Sequence, residues 1–190
     1  MDGIIRTRVG YAGGKKKNPT YYDLGDHTES IQIDYDPDRL SYEDLLRVFW
    51  KNHDPRHRAY SRQYVAAAFP HGDDQLRLLA ESRDRLAATL PGEIVTEVLP
   101  DAEFYRAEGY HQKYYLRNVG EIMRDFEQIY PREQDFVDST AAARVNGYVG
   151  GYGSGEQLSR EMDKLGLSDR ARARLERIVT RDGSGASCHR

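Results

Sequence analysis

Cysteine is almost absent from this chain of 190 residues, in which Cys188 is the only one. One cysteine excludes an internal disulfide and any zinc site built from several thiolates. Long apolar runs are also lacking, since no stretch approaches the roughly 20 residues of a membrane-spanning helix. Residues 1–5 have neither the basic nor the apolar segment of a secretory signal. These absences predict a cytoplasmic protein without a membrane partner.

The chain has no large excess of charge of either sign. Its formal net charge is -3, and its longest run of like charge is Lys15-Lys16-Lys17. A basic field that would attract nucleic acid is therefore missing, and we expect no nucleic-acid partner.

Two further patterns fall short of a cofactor or metal site. Gly10, Gly13 and Gly14 are not followed by the Gly-Lys-Ser/Thr of a phosphate-binding loop. His53 and His57 are four residues apart, but no third ligand accompanies them in a recognisable spacing. The sequence therefore predicts no metal site and no resident cofactor.

Hydrophobic periodicity predicts a mixture of strands and helices. Strands are predicted over 4–10, 28–35, 62–69 and 94–99, and helices over 42–52, 73–90, 119–130 and 171–181. Ser41 and Asp44 resemble a capping box at the start of the first helix. This mixture favours an α+β or α/β fold.

Composition also predicts two regions. Glycine and serine become frequent between Pro131 and Gly155, and 182–190 has the character of a frayed end. We therefore expect one domain over 1–130 and a helical or partly disordered C-terminal extension over 131–190.

Three motifs in the first thirty residues together resemble the A-type peptide methionine sulfoxide reductase family. They are Val9-Gly10-Tyr11-Ala12-Gly13-Gly14, Asn18-Pro19-Thr20-Tyr21 and Asp26-His27-Thr28-Glu29, and the resemblance covers roughly 2–118. It implies an α/β roll, that is, an α+β fold with a mixed or antiparallel sheet and flanking helices. It also implies a protein-repair reductase that returns methionine S-sulfoxide in peptides to methionine, with a thioredoxin-like protein as the external reductant.

The resemblance assigns catalytic roles to Glu29, Tyr21 and Tyr64. Tyr64 closes Ser61-Arg62-Gln63-Tyr64, a run that resembles the family's Thr-Gln-Tyr. In the family, a glutamic acid and two tyrosine hydroxyls bind the sulfoxide oxygen while a cysteine thiolate attacks the sulfur. Alternation along 28–35 places Glu29 on the face of Ile31, where loss of water would raise its pKa and retain its proton. The alternatives are a glutamate that reaches solvent and tyrosines that only pack.

The sequence departs from the family pattern at three places. Asp26 and Thr28 stand where the family has glycine and alanine. The loop over 55–60 is too short for the family's Gly-Asn-Asp run, whose aspartate helps to bind substrate. Asp54 does not replace that aspartate, and we expect it to cap or end the preceding helix.

The sequence does not contain the family's nucleophile motif, Gly-Cys-Phe-Trp. Cys188 lies in a Gly/Ser-rich tail beside His189, where it is either a resolving thiol or inert. We expect that the start codon has been assigned to an internal methionine and that the motif lies upstream. The chain is then a fragment of a reductase, inactive by itself; the alternative is a non-catalytic module that binds oxidised methionine or a protein partner.

Overall fold

The computed structural model describes residues 2–183, which form two compact units. Within this range, unit 1 comprises residues 2–4 and 9–108, and unit 2 comprises residues 5–8 and 109–183. None of the helices in the described range combines the length and apolar character needed to cross a bilayer. Cys188 lies outside the described residues, and the predicted domain boundary at residue 130 stays a prediction.

The secondary structure is mixed, and the predicted α+β class is confirmed. The strands are β1 (Ile4–Ala12), β2 (Thr28–Tyr35), β3 (Ala67–Ala68), β4 (Glu97–Val98) and β5 (Phe104–Arg106). The helices are α1 (Tyr42–Lys51), α2 (Gly72–Ala87), α3 (Tyr114–Arg117), α4 (Gly120–Ile129), α5 (Glu133–Asp138), α6 (Thr140–Val149), α7 (Gly155–Glu161) and α8 (Asp169–Gly183). Short 3-10 turns cover Arg62–Tyr64, Gly109–His111 and Met162–Lys164.

The main sheet has the strand order β2-β1-β5, and β5 runs antiparallel to β1. Gly10 pairs with Arg106 at this contact. A Cβ atom on Gly10 would lie only 2.3 Å from the carbonyl oxygen of Tyr105, so a glycine is what lets the two backbones approach. A second, parallel pair joins β3 and β4.

The first helix of unit 1 begins where the sequence predicts. The Ser41 side chain accepts from the backbone N–H of Asp44, and the Asp44 carboxylate accepts from the backbone N–H of Ser41, which completes the capping box. Helices α1 and α2 pack against each other, and each has one buried leucine, Leu46 on α1 and Leu79 on α2. The indole N–H of Trp50 also donates to Ser82 Oγ at 2.7 Å.

Unit 2 is a helical unit with its own apolar core. Side chains from α3 to α8 converge there, and its most deeply buried members are Leu116, Ile122, Phe126, Ala142, Val145, Ala171 and Leu175. Serine caps α6 and α7, since Ser139 Oγ accepts from the N–H of Ala142 and Ser154 Oγ accepts from the N–H of Gln157.

A lysine is buried beside this core. Lys113 is 5% exposed, and its Nζ donates to the carbonyl oxygen of Thr7 at 2.6 Å and to Thr7 Oγ1 at 3.1 Å. Burial lowers the pKa of Lys113 to about 8, although the Asp138 carboxylate acts in the opposite direction. The ammonium is therefore held in the fold at an electrostatic cost.

This burial predicts a stability that increases with pH. An unfolded lysine keeps its ordinary pKa of 10.5, so between pH 8 and 10.5 the unfolded chain binds more protons than the folded one, and the free energy of unfolding rises. Between pH 7.5 and 9.5 we expect Lys113 to contribute a rise of about 2 kcal/mol. Denaturant titrations across this range measure it.

Lys113→Met is the matched control for that titration. It removes the titrating group, so its free energy of unfolding should lack the Lys113-dependent rise. A slope identical to that of the unchanged chain would contradict the assignment. The range ends at pH 9.5 because burial raises the pKa of Tyr42 to about 12, and its linkage above pH 10 has the opposite sign.

Candidate active site

The loop that carries Tyr21 is held by a left-handed residue and a carboxylate. Asn18 has φ 51°, a conformation that asparagine tolerates better than most residues. The backbone N–H of Tyr21 donates to Glu108 Oε1 at 3.1 Å, and the Tyr11 hydroxyl donates to Glu108 Oε2 at 2.6 Å. Glu108 thereby fixes the backbone of Tyr21 relative to β1.

His27 holds the glycine loop against the start of β2. It is fully buried, its Nε2–H donates to the carbonyl oxygen of Lys16 at 2.8 Å, and Nδ1 accepts from the N–H of Gly14 at 3.2 Å. A Cβ atom on Gly14 would lie 2.5 Å from Asp26 Oδ1, so the loop needs glycine here. These contacts set the position of Glu29, two residues further on.

Asp26, one of the departures from the family pattern, closes the same loop. Its carboxylate accepts from the backbone N–H of Lys15 at 2.8 and 2.9 Å and from that of Lys16 at 3.2 Å. The Lys15 and Lys16 N–H groups hold the pKa of Asp26 below its ordinary value. The carboxylate is therefore ionised at neutral pH and acts as a loop anchor.

Glu29 is exposed, and the predicted desolvation of its carboxyl is wrong. Ile31, on the same face of β2, is 57% exposed, whereas Thr28 on the opposite face is 1% exposed. The physical reason is a long-range contact: Thr28 Oγ1 lies within hydrogen-bonding distance of the carbonyl oxygens of Gln63 at 2.9 Å and Val65 at 3.0 Å. The segment that contains Gln63 and Val65 therefore covers the Thr28 side of β2.

Gln63 is a direct partner of Glu29. The Gln63 side-chain amide donates to Glu29 Oε1 at 2.6 Å. Since an amide N–H occupies one carboxyl oxygen, Oε2 remains as the oxygen that can carry a proton towards a ligand. Gln63 therefore orients the candidate acid.

Tyr64 ends the 3-10 turn that carries Gln63, and the strand predicted over 62–69 is wrong at this point. Ser61 Oγ accepts from the N–H of Gln63 at 3.3 Å and caps the turn. Arg62 secures it, because its Nε donates to the carbonyl oxygen of Asp26 at 3.0 Å and its guanidinium pairs with Glu97 at 2.7 Å. The turn is thereby joined to the loop before Glu29.

The three residues predicted from motifs lie in one neighbourhood of unit 1. Tyr64 is 49% exposed and Tyr21 37% exposed. The pKa of the Tyr64 hydroxyl is raised, chiefly by the neighbouring Tyr60, then by partial burial, and further by the Glu29 carboxylate and the Tyr21 phenol. The fold thus brings Glu29, Tyr21 and Tyr64 together, and their shared role in catalysis stays a prediction.

The side chains of His53 and Asp54, which follow α1, have structural partners. His53 Nδ1–H donates to the carbonyl oxygen of Phe49 at 2.8 Å, and Nε2 lies 2.9 Å from Thr96 Oγ1. Asp54 Oδ1 accepts from the backbone N–H and from Nε of Arg56, both at 3.0 Å. Among residues 2–183, no group of three or more His, Cys, Asp or Glu side chains is arranged to hold a metal ion.

Two residues that contact the candidate residues could not be identified from the sequence. Gln63 precedes Tyr64 in the same motif, but the resemblance assigns a role to the tyrosine only. Glu108 is 87 positions from Tyr21, and no local pattern relates residues at that separation. Only the folded chain shows that they contact the motif residues.

Comparisons with protein families find two matches. A profile described as "Peptide methionine sulfoxide reductase" matches residues 1–144. A second, described as "Selenoprotein methionine sulfoxide reductase A, helical domain", matches residues 133–180.

Individual proteins point to the same family. A "Peptide methionine sulfoxide reductase" of Drosophila melanogaster is 35% identical over 189 residues, which are 98% of this chain and 76% of that protein. A "Peptide methionine sulfoxide reductase MsrA" of Methanothermobacter thermautotrophicus is 43% identical, over 62% of this chain and 76% of that protein. The structure of "Methionine sulfoxide reductase A of Corynebacterium diphtheriae" superposes with a TM-score of 0.51 at 30% identity, over 63% of this chain and 66% of that one.

The chain spans only part of the length of these relatives. It covers 60% of a rice relative that is 37% identical and 58% of a relative from Salinispora tropica that is 42% identical. The activity of a whole relative is therefore a matter of proposal for this chain.

Proposed function

We propose that this chain, which belongs to the peptide methionine sulfoxide reductase family, forms the sulfoxide-activating part of a peptide-methionine (S)-S-oxide reductase. In its protonated form Glu29 gives a proton to the sulfoxide oxygen, and the hydroxyls of Tyr21 and Tyr64 donate hydrogen bonds to the same oxygen. Protonation makes the sulfur electrophilic, so that a thiolate can attack it.

The chemistry balances with one external thiolate. One thiolate, one proton and one sulfoxide give one sulfenic acid and one methionine, because the oxygen passes from the substrate sulfur to the attacking sulfur. A reductant with two thiols then returns the sulfenic acid to the thiol and releases water. We propose a thioredoxin-like protein as this reductant, protein repair in the cytoplasm as the role, and no resident cofactor.

One observation supports this proposal above the others. Glu29 accepts a hydrogen bond from Gln63, and both Glu29 and Tyr21 contribute to the raised pKa of the adjacent Tyr64 hydroxyl. A carboxyl and two phenols in one neighbourhood provide the donors that a sulfoxide oxygen can use.

A second candidate function rests on the cysteine content. Residues 1–190 contain no thiol other than Cys188, so the chain taken alone would be a non-catalytic module that binds oxidised methionine or a protein partner. Both candidate functions use the same sulfoxide-binding residues. They differ only in whether the protein also contains a nucleophile.

The genomic DNA upstream of the Met1 codon distinguishes the two candidates. We expect an in-frame segment that reads Gly-Cys-Phe-Trp. Because one matching family is described as a selenoprotein and selenocysteine is encoded by UGA, Gly-UGA-Phe-Trp would support the enzyme equally. A different stop codon, with no such motif in frame, would contradict the enzyme and support the binding module.

A further inference from the structure

Two highly exposed tyrosines extend the candidate site. Tyr22 is 90% exposed and Tyr60 is 87% exposed. The ring of Tyr22 lies 5.5 Å from that of Tyr21, and the ring of Tyr60 lies 5.4 Å from that of Tyr64. We call Tyr22 and Tyr60 the outer tyrosines, since each adjoins one of the two tyrosines assigned to the sulfoxide.

The outer tyrosines offer binding area. A tyrosine side chain buries about 150–250 Å² when it is covered, and much of this area is apolar. Tyrosine is enriched at protein interfaces because it combines a large apolar ring with a polar tip. Two such rings beside a candidate site form a surface that a ligand longer than one residue can cover.

We propose that the outer tyrosines bind the residues that flank methionine sulfoxide in an extended polypeptide, an inference that rests on the proposed function. An extended chain rises about 3.3 Å per residue. A ring that is 5.4 or 5.5 Å from its inner neighbour therefore lies within reach of positions one or two residues from the sulfoxide. Tyr22 and Tyr60 then determine which sequences around an oxidised methionine are accepted.

The charges of the loop before Tyr60 favour apolar flanking residues. Arg56 pairs with Asp54 at 3.0 Å, and Arg58 pairs with Glu93 at 3.1 Å. These cations already have carboxylate partners, and the ring of Tyr60 is the largest apolar group that this loop exposes to a ligand. The flanking residues that fit it are apolar or aromatic.

Binding of two ligands to residues 1–190 tests the inference. The short ligand is N-acetyl-methionine-(S)-sulfoxide methylamide, and the long one is a seven-residue peptide with leucine on both sides of the same sulfoxide. NMR titration gives both dissociation constants. We expect the long ligand to bind about 5-fold more tightly, as burial of about 40 Å² of apolar surface would give, and aspartate flanks to abolish the gain.

Paired variants test whether the rings of Tyr22 and Tyr60 cause the tighter binding of the long ligand. In the chain with Tyr22→Ser and Tyr60→Ser, the ratio of the two dissociation constants should fall to about 1, whereas Tyr22→Phe with Tyr60→Phe keeps the rings and should keep the ratio near 5. Any general effect on folding cancels in the ratio.

Two results would overturn the inference alone: a serine variant that keeps the ratio, or an unchanged chain that binds both ligands equally well. If the unchanged chain bound neither ligand, the proposed sulfoxide site would fail together with the inference. These outcomes separate the recognition of flanking residues from the recognition of the sulfoxide itself.

Discussion

A protein that joins residues 1–190 to an upstream Gly-Cys-Phe-Trp segment is expected to reduce methionine S-sulfoxide, whereas residues 1–190 alone are expected to show no turnover. The reason is that the reaction needs a thiolate at the sulfur, and the chain has only Cys188, in its tail. A chromogenic methionine-sulfoxide peptide with dithiothreitol as reductant measures both proteins. The expected difference is large, because the extended protein turns over the peptide and residues 1–190 alone do not.

Two cysteine variants control that comparison. In the extended protein, changing the cysteine of the upstream motif to serine should abolish turnover, and Cys188→Ser should leave the first turnover intact. If residues 1–190 reduced the peptide and Cys188→Ser abolished this activity, the tail cysteine would be the nucleophile and the account would be wrong.

Glu29→Gln in the extended protein is expected to lower kcat by about 10²–10⁴-fold, the usual contribution of a general acid. Glutamine can still hydrogen-bond to a sulfoxide but has no proton to give to its oxygen. The rate constant should be measured from pH 6 to 8 under saturating peptide. Tyr21→Phe should cost less, because Tyr64 and Glu29 would still bind the oxygen.

The matched control for this change is Glu43→Gln on α1, another exposed glutamate of unit 1, which pairs with Arg85. It alters charge by the same amount and should leave kcat within about twofold, as surface substitutions away from a site usually do. A Glu29→Gln rate equal to that of the unchanged protein across neutral pH would exclude the acid role.

Elements with local signals were predictable from the sequence. The capping box of Ser41 and Asp44 fixed the start of α1, and the β-branched run before Gly10 gave β1. In both, the residues that decide the structure are within a few positions of one another. The helices α5, α6 and α7 were not predicted individually. Helices α5 and α7 are only six and seven residues long, which is too short to show a helical period, and all three are stabilised by packing that includes Phe136, Val145 and Leu158.

The face of β2 shows why alternation alone was not enough. Alternation correctly separated Thr28 from Glu29, but it could not say which of the two faces is covered. The hydrogen bonds of Thr28 to the backbone near Gln63 decide this, and they join residues 35 and 37 positions apart. The same contacts hold 62–64 in the turn that carries Tyr64, so that only Ala67–Ala68 of the strand predicted over 62–69 is a strand.

The candidate site was predicted by motif, and its supporting residues were not. Glu29, Tyr21 and Tyr64 each occur in a short run that resembles the family. Gln63 and Glu108 support two of them through side-chain contacts across the fold, which a single sequence does not reveal. Their positions explain how exposed residues on separate loops keep one arrangement.

The most direct test of the account is an NMR titration of residues 1–190, labelled on tyrosine, with the two diastereomers of N-acetyl-methionine sulfoxide methylamide. We expect that the S form shifts the ring signals of Tyr21 and Tyr64 in a saturable way, that the R form binds far more weakly, and that Glu29→Ala, which removes the hydrogen-bonding group, weakens binding of the S form. Equal shifts with both diastereomers, or saturable shifts that leave Tyr21 and Tyr64 unmoved, would contradict it.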